Sequence, residues 1–363
     1  MSYISSDTLG TLILDSQTDS LHITSSNFVK YINTSASQNM MVGKYGNYES
    51  KTLLKFNSLP TWYDTSHVVS ATLNFRYNKT YYTDSLGYTS FNVYKILNTY
   101  DLTTITYDKF NSSDIGTTVL GTYSGTPTDT IQINIPLDNT TVENWLKYAH
   151  DTTYSVPNYG IALVPNNSCT TIKGFCSSNN TISTYVPSVT IALLEPSGGH
   201  DTITLYYSDF TSLSYVPQIP SYPGKIVVQN GVSIKDIMHF DISKLPGKVI
   251  INQATLEMKV DWANSFSNPG VDKRYIGYML TTDTLTNDGI IYYSSPKDGD
   301  TTNYVVYLTM AFQNWNYGKY GNFGVLLQNI YDYSNLDRYV FYGPDYPDPS
   351  MRPRLKIRYS IRR

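Results

Sequence analysis

The chain has 363 residues, a formal net charge of −3, 15% charged and 40% hydrophobic residues, and 35 tyrosines. Disorder couples low hydrophobicity with high charge and does not fit that balance, and so weak a charge gives no electrostatic footprint for nucleic acid. No stretch reaches the roughly 18 consecutive apolar residues of a membrane span, so no membrane insertion is expected.

Glu, Ala, Lys and Arg are scarce, while Thr, Tyr, Val and Ile stand on a background of Asn, Gly, Pro and Asp. That mixture suits pleated strands joined by turns, and the expected class is all-β. The opening "MSYISSDTLGTLILDSQ" has neither the basic n-region nor the long apolar h-region of a secretory signal, so conventional export is not expected. Residues 1–26 have no clear counterpart later in the chain. They are expected to add a strand to a sheet edge or to dock on a neighbouring subunit.

"LLKFNSLP" (53–60) and "SATLNFRY" (70–77) read as strands, the second placing Ala71, Leu73, Phe75 and Tyr77 on one face. Between them and the next strand lies "NKTYYTDSLGYTSF" (78–91), which offers Tyr81, Tyr82 and Tyr88 to a partner. Tyrosine suits that role because it gives large contact area for little lost entropy. "TIQINI" sets Ile131, Ile133 and Ile135 on one strand face. "TTVENWLKYAH" breaks the two-residue period: Val142, Trp145, Leu146 and Ala149 recur at helical spacing. One or two helical turns are predicted there, with the Trp plugging an end of the fold.

"NYGIALVP" (158–165) then returns to strand, its glycine allowing a sharp entry. Cys169 and Cys176 flank "TTIKGF", where a hairpin could join them, but without a secretion signal two reduced thiols are expected. "VPSVTIALL" (186–194) ends the first half, and "EPSGGHD" (195–201) reads as a linker.

The second half repeats this order. "IMHFDISKLP" (237–246) echoes "LLKFNSLP", "QATLEMKV" (253–260) echoes "SATLNFRY", and "LTMAFQNW" carries Leu308, Phe312 and Trp315 at helical spacing. "FGVLLQN" (323–329) matches "YGIALVP", and "RPRLKIRYS" (352–360) matches "VPSVTIALL". The offset drifts from 184 at Phe56 and Phe240 to 170 at Trp145 and Trp315, then to 166 at Pro187 and Pro353. A drift in one direction is what loop insertions leave on a shared scaffold. Two tandem antiparallel β-sandwich domains of jelly-roll type are expected, 1–195 and 196–363, each with one short helix. Phe56, Trp145, Phe240 and Trp315 are their expected core anchors. "NYGKYGNF" (316–323) and "YVFYGPDYPDPS" (339–350) add Tyr317, Tyr320, Tyr342 and Tyr346 to the candidate contact residues.

The order "LLKFNSLP…SATLNF…YDLTTITYDKF…NWLKY…NYGIALVP…VPSVTI" resembles the DNRLRE-type β-sandwich module of bacterial surface proteins, polysaccharide-related proteins and some phage structural proteins. Tyr100 and Tyr107 stand where that family carries two tryptophans, with Thr106 kept and Leu102 in place of an acid. Asn158, Tyr159 and Gly160 match outright. In the second half Phe240-Asp241 and Leu245-Pro246 match, while "TLTNDGIIYY" (284–293) keeps only its aromatic end. The resemblance implies a sandwich fold, and its members range from glycan-binding modules to passive spacers.

Little else in the chain carries chemistry. His22, His67, His150, His200 and His239 are scattered without metal-ligand spacing, and no nucleophile elbow, P-loop or dinucleotide fingerprint occurs. Asp298/Asp300 and Asp345/Asp348 sit in turn-rich sequence, where Asx turns explain them better than calcium. No catalytic residue, metal or cofactor is expected. The reading that follows is a non-enzymatic structural and adhesive protein of a bacteriophage virion, exposed on tail or capsid. Its partners would be other virion proteins or further copies of itself, with a host-surface glycan or receptor as a further contact. The alternative is a secreted, extracellular pair of bacterial carbohydrate-binding or cell-surface modules.

Overall fold

A computed structural model describes residues 10–19, 21–56, 59–283, 285, 290–297 and 300–361. The protein is all-β, with antiparallel pairing throughout and two α-helices among the described residues. In chain order the strands begin with β1 (Thr11–Asp15), β2 (Ile23–Val29), β3 (Asn39–Tyr45), β4 (Tyr48–Phe56), β5 (His67–Tyr82) and β6 (Thr89–Ile96). Then come β7 (Ile115–Gly125), β8 (Gln132–Pro136), α1 (Asn139–His150), β9 (Ile161–Pro165), β10 (Ile172–Cys176), β11 (Ser188–Leu194) and β12 (His200–Tyr215). The second half holds β13 (Lys225–Gln229), β14 (Ile234–Phe240), β15 (Ile250–Lys259), β16 (Tyr275–Met279), β17 (Ile290–Lys297) and β18 (Asp300–Tyr307). It ends with α2 (Thr309–Asn316), β19 (Val325–Asn329), β20 (Arg338–Tyr342) and β21 (Arg354–Ser360).

The duplication is visible in the pairing. In the first half β3 pairs β4 and β10, β4 pairs β9, β9 pairs β6, β6 pairs β7, and β5 pairs β8 and β11. Each contact has a counterpart ten strands later: β13 with β14 and β20, β14 with β19, β19 with β16, β16 with β17, and β15 with β18 and β21. Each half closes around its own apolar core. Ala71, Leu73, Phe75 and Tyr77 point into one, and Ala254, Leu256, Met258 and Val260 into the other. Ile133 and Ile135 join the first core, but Ile131 lies just before the strand begins and is 45% exposed.

The helices seal equivalent ends. In α1, three turns long, Asp138 caps the start by accepting from the Thr141 amide, and Val142, Trp145 and Leu146 are buried. The Trp145 ring lies 5.7 Å from Phe56. In α2 Phe312 and Trp315 pack on Phe240, with ring centroids 5.6 and 6.2 Å away. After each helix a glycine takes a positive φ, 107° at Gly160 and 92° at Gly324. A Cβ there would stand 2.3 Å from the Leu54 carbonyl oxygen or 2.7 Å from that of Met238, so both sites demand glycine. The Asn/Tyr/Gly run after each Trp is therefore a structural joint.

Strand pairing does not divide at 195/196. "EPSGG" is a hairpin turn, closed by the Glu195 amide on the Gly199 carbonyl at 2.8 Å, and it joins β11 to β12. The same Pro/Ser/Gly composition serves tight turns and linkers alike. β12 runs along β11 with its first part and along β4 with its second, so residues 200–215 complete the first half. The corresponding edge of the second half is filled by the N-terminal strands: β1 pairs β21 and β2 pairs β14. The opening segment does have a counterpart, namely β12. Residues 30–38 and 216–224, nine each, carry the chain across between halves.

The halves also share a seam. Met41, Tyr48, Tyr82 and Ile172 pack with Val227, Val232, Ile234, Leu336 and Val340 in one cluster. Polar contacts across it include Tyr48 Oη donating to Gln229 Oε1 at 2.9 Å, and Asn268, whose amide exchanges two 3.0 Å bonds with the Tyr81 backbone.

Candidate functional site

Two consequences of the exchanged strand set the polar chemistry. The first lies where β3 parts from β4, and β13 from β14. Met41 and Val227 occupy equivalent places there, and their peptide groups are met by side chains. In the first half Ser212 Oγ accepts from the Met41 amide at 2.9 Å, while Ser50 and Thr52 donate to its carbonyl at 2.8 and 3.0 Å. In the second half one amide does both jobs: Asn27 Oδ1 accepts from the Val227 amide at 3.0 Å, and Nδ2 donates to the Val227 carbonyl at 2.6 Å. Left unpaired, each buried backbone group would cost about 1–3 kcal/mol.

The second consequence is a cleft. β12 is continuous, whereas its counterpart is broken into β1 and β2, with a turn at residues 16–19 after β1. A cleft of about 600 Å³ opens between that turn and residues 344–353, lined by Gln17, His22, Asp345, Ser350 and Arg352 among others. A smaller hollow shares Gln17, Ser350 and Arg352 and adds Glu257, Lys259 and Arg354. Arg352 Nε donates to the Tyr346 carbonyl at 2.6 Å, and Lys259 Nζ to that of Ser350 at 2.9 Å, so both cations lean on carbonyl oxygens. Arg354 is held by Asp15 through a bidentate ion pair, which keeps the Asp15 carboxyl below its usual range.

The candidate tyrosines fall into three settings. Tyr342 and Tyr346 come together, with ring centroids 4.7 Å apart and Lys225 Nζ within 5.1 and 5.4 Å of the two rings. They flank the cleft, since Pro344 and Asp345 between them line it. Lys225 is anchored by Asp261 at 2.5 Å, whose hydrogen bond raises the ammonium pKa. Tyr317 is 45% exposed, and Tyr320 is partly buried against the second core with Lys319 over its ring. Tyr88 is half-buried. Tyr81 is tied by its backbone into the seam, its ring beside Phe266. Tyr82, unlike the exposed contact residue expected from the sequence, is wholly buried in the seam, takes a hydrogen bond from Arg338 Nη1 at 3.0 Å, and presents no face to a ligand. It ends β5 with its side chain turned towards the other half, a placement that loop composition does not report.

Phe56, Trp145, Phe240 and Trp315 lie in the two cores at 7%, 1%, 2% and 5% exposure. Both thiols are free, and burial pushes Cys176 up to about 11. No group of three or more His, Cys, Asp or Glu residues suited to a metal ion occurs among the described residues. Asp348 makes a turn by accepting from the Ser350 amide at 2.9 Å, while Asp298 lies outside the described residues. No described helix is long and apolar enough to cross a membrane.

Gln17, His22 and Arg352 escaped the sequence reading because they converge from opposite ends of the chain. The one available signal was "YGPDYPDPS", whose Pro344, Asp345 and Pro349 hold the far wall.

No family model matches the chain, and no curated protein matches it. A solved structure titled BspA_C_mut aligns over 94% of this chain and 90% of its own, at 8% identity and a TM-score of 0.16.

Proposed function

We propose that the chain is a non-enzymatic structural and adhesive protein, a component of a bacteriophage virion exposed on tail or capsid. The observation that carries the structural part is the interlocked build. Each half is completed by a strand lying outside its own repeat, and a buried seam joins the two, a construction suited to a rigid building block. The virion part rests on the DNRLRE-like order of motifs and on the Tyr-, Asn- and Thr-rich composition. Mass spectrometry of purified particles tests it: the protein is expected among the particle proteins, and its absence from them ends the reading.

A second reading, a secreted carbohydrate-binding or cell-surface protein, is favoured by the cleft. Gln17, His22, Asp345, Ser350 and Arg352 offer donors and acceptors to a hydroxyl-rich ligand beside the Tyr342/Tyr346 pair. Glycan-array binding that is lost in Arg352→Ala and Tyr346→Ala supports it, and a silent array removes it.

A further inference from the structure

The order in which the strands close the two halves has the form of a chain link. The first half is completed by the leading segment of the repeat that follows it, because β12 folds back across the 195–199 turn onto β11 and then onto β4. In the second half the leading segment of the first repeat takes that place: β1 on β21, β2 on β14. The chain thus closes into a ring. The two registers correspond, with Thr11 opposite Ser360 as His200 is opposite Leu194, and Asn27 opposite Asp236 as Ser212 is opposite Thr52.

The ring closure also differs from the internal joint in its tether. β12 is bound covalently to the half it completes through a tight turn, whereas β1 and β2 reach theirs only through the nine residues 30–38. The segment is self-contained as a plug. It carries Asn27 for the Val227 peptide, Asp15 for Arg354, Leu21 inside the second core, and Leu14 and Ile23 packed against that core. Among the described residues β1 is also the terminal strand of its sheet, with Leu12 and Ile13 exposed at 44% and 53%.

We propose that the edge of the second half, which β1 and β2 of the same chain cover here, also takes β1 and β2 of a second copy, so that copies join head to tail by strand exchange. The acceptor is built for the leading segment of a following repeat, and a second copy presents that same segment with the same plug residues. A head-to-tail contact of this kind gives rings or filaments, and the closed monomer is its shortest ring. This deepens the structural reading above, yet its test uses purified protein alone and so fails separately from any result on virions.

Ile13 and Arg358 face each other in the β1–β21 register, and both side chains are exposed. A full-length chain carrying Ile13→Cys and Arg358→Cys reports where its first strand sits. With the native connector the disulfide is expected within one chain. Deleting residues 30–32 shortens the connector's reach by about 10 Å, and the disulfide is then expected between chains, as a ladder on a non-reducing gel. Should that deletion impair folding, the native-length chain gives a second measurement. Isotopically heavy and light copies are mixed at high concentration, warmed to just below the unfolding transition, cooled and oxidised. Heavy-to-light cross-linked peptides spanning positions 13 and 358 support donation between copies. Cross-links confined to single chains in both experiments, or a shortened chain that stays monomeric, overturn it.

Discussion

The two halves solve one local problem with different side chains. Where β3 leaves β4, three hydroxyls from Ser50, Thr52 and Ser212 surround the Met41 peptide, and Ser50 is also 2.8 Å from Ser214 and Thr52 3.0 Å from Ser212. Every member of that group has a partner. In the second half the single amide of Asn27 replaces them, and the place of Thr52 is taken by Asp236. Both Asp236 carboxyl oxygens are buried without a hydrogen bond, and burial raises its pKa well above the usual carboxylate range. The Met41 carbonyl has two donors and keeps one if the other is lost. An amide that serves alone has no such reserve, and it leaves its neighbour stranded.

The largest expected effects ask whether the halves are energetically one body. Trp145→Ala and Trp315→Ala should each cost about 3–5 kcal/mol, as for large buried aromatics. Because each half is completed by the other repeat's leading strand, calorimetry should show one transition that moves in both variants. A variant with two transitions, one of them unmoved, would mean that the halves melt independently.

Next in size is the plug. Asn27→Leu strands both the N–H and the C=O of Val227, at about 1–3 kcal/mol each, whereas Ser212→Ala strands only the Met41 N–H. Urea midpoints should therefore fall further for Asn27→Leu. Equal shifts would show that the two plugs are equivalent despite their chemistry.

Much of this frame was legible in the chain. Period-two alternation placed Leu73, Phe75, Leu256 and Met258 in cores, and helical spacing placed Trp145 and Trp315 at the ends, because both signals are local. The exchange was not legible. Which half accepts a segment depends on an edge assembled 205 to 349 residues away, from Val29 opposite Ile234 to Thr11 opposite Ser360, and "LGTLILD" reads the same whichever edge it fills. The hairpin at 195–199 misled for a related reason, since Pro, Ser and Gly satisfy a turn and a linker equally. The cleft was hidden because its walls meet only through the exchanged strand. Tyr82 was misplaced because composition marks a loop as sticky without saying whether its partner is a ligand or the rest of the same chain.

The stranded carboxyl gives the third prediction. A carboxyl whose folded pKa is raised is more stable protonated, so its contribution is whole below the unfolded pKa of about 3.9 and is lost as pH rises towards the folded value. Over that window the loss is about 1.4 kcal/mol per pH unit. Asp236→Thr, which copies the first half, should raise the melting temperature at pH 7 and change it far less at pH 4. A variant that gains equally at both pH values would show that packing, and not ionisation, sets the difference between the halves.

The smallest effect separates seam from cleft. Tyr82 Oη accepts from Arg338, whose Nε also donates to the Asn264 carbonyl at 3.1 Å. Tyr82→Phe keeps the ring that packs edge-on against Phe266 at 5.5 Å and removes one acceptor from a half-buried cation. A loss of about 1–2 kcal/mol is expected, towards the lower end for a bond to a charged group because the guanidinium keeps its other partner. Tyr346→Ala should show the reverse pattern. Its ring lies at the protein surface beside Tyr342, so unfolding should change little, while any glycan affinity of the cleft should fall. The pair is informative only when both are measured in both assays. If Tyr82→Phe weakens glycan binding as much as Tyr346→Ala does, the seam is coupled to the cleft, and the division between a structural face and a contact face must be redrawn.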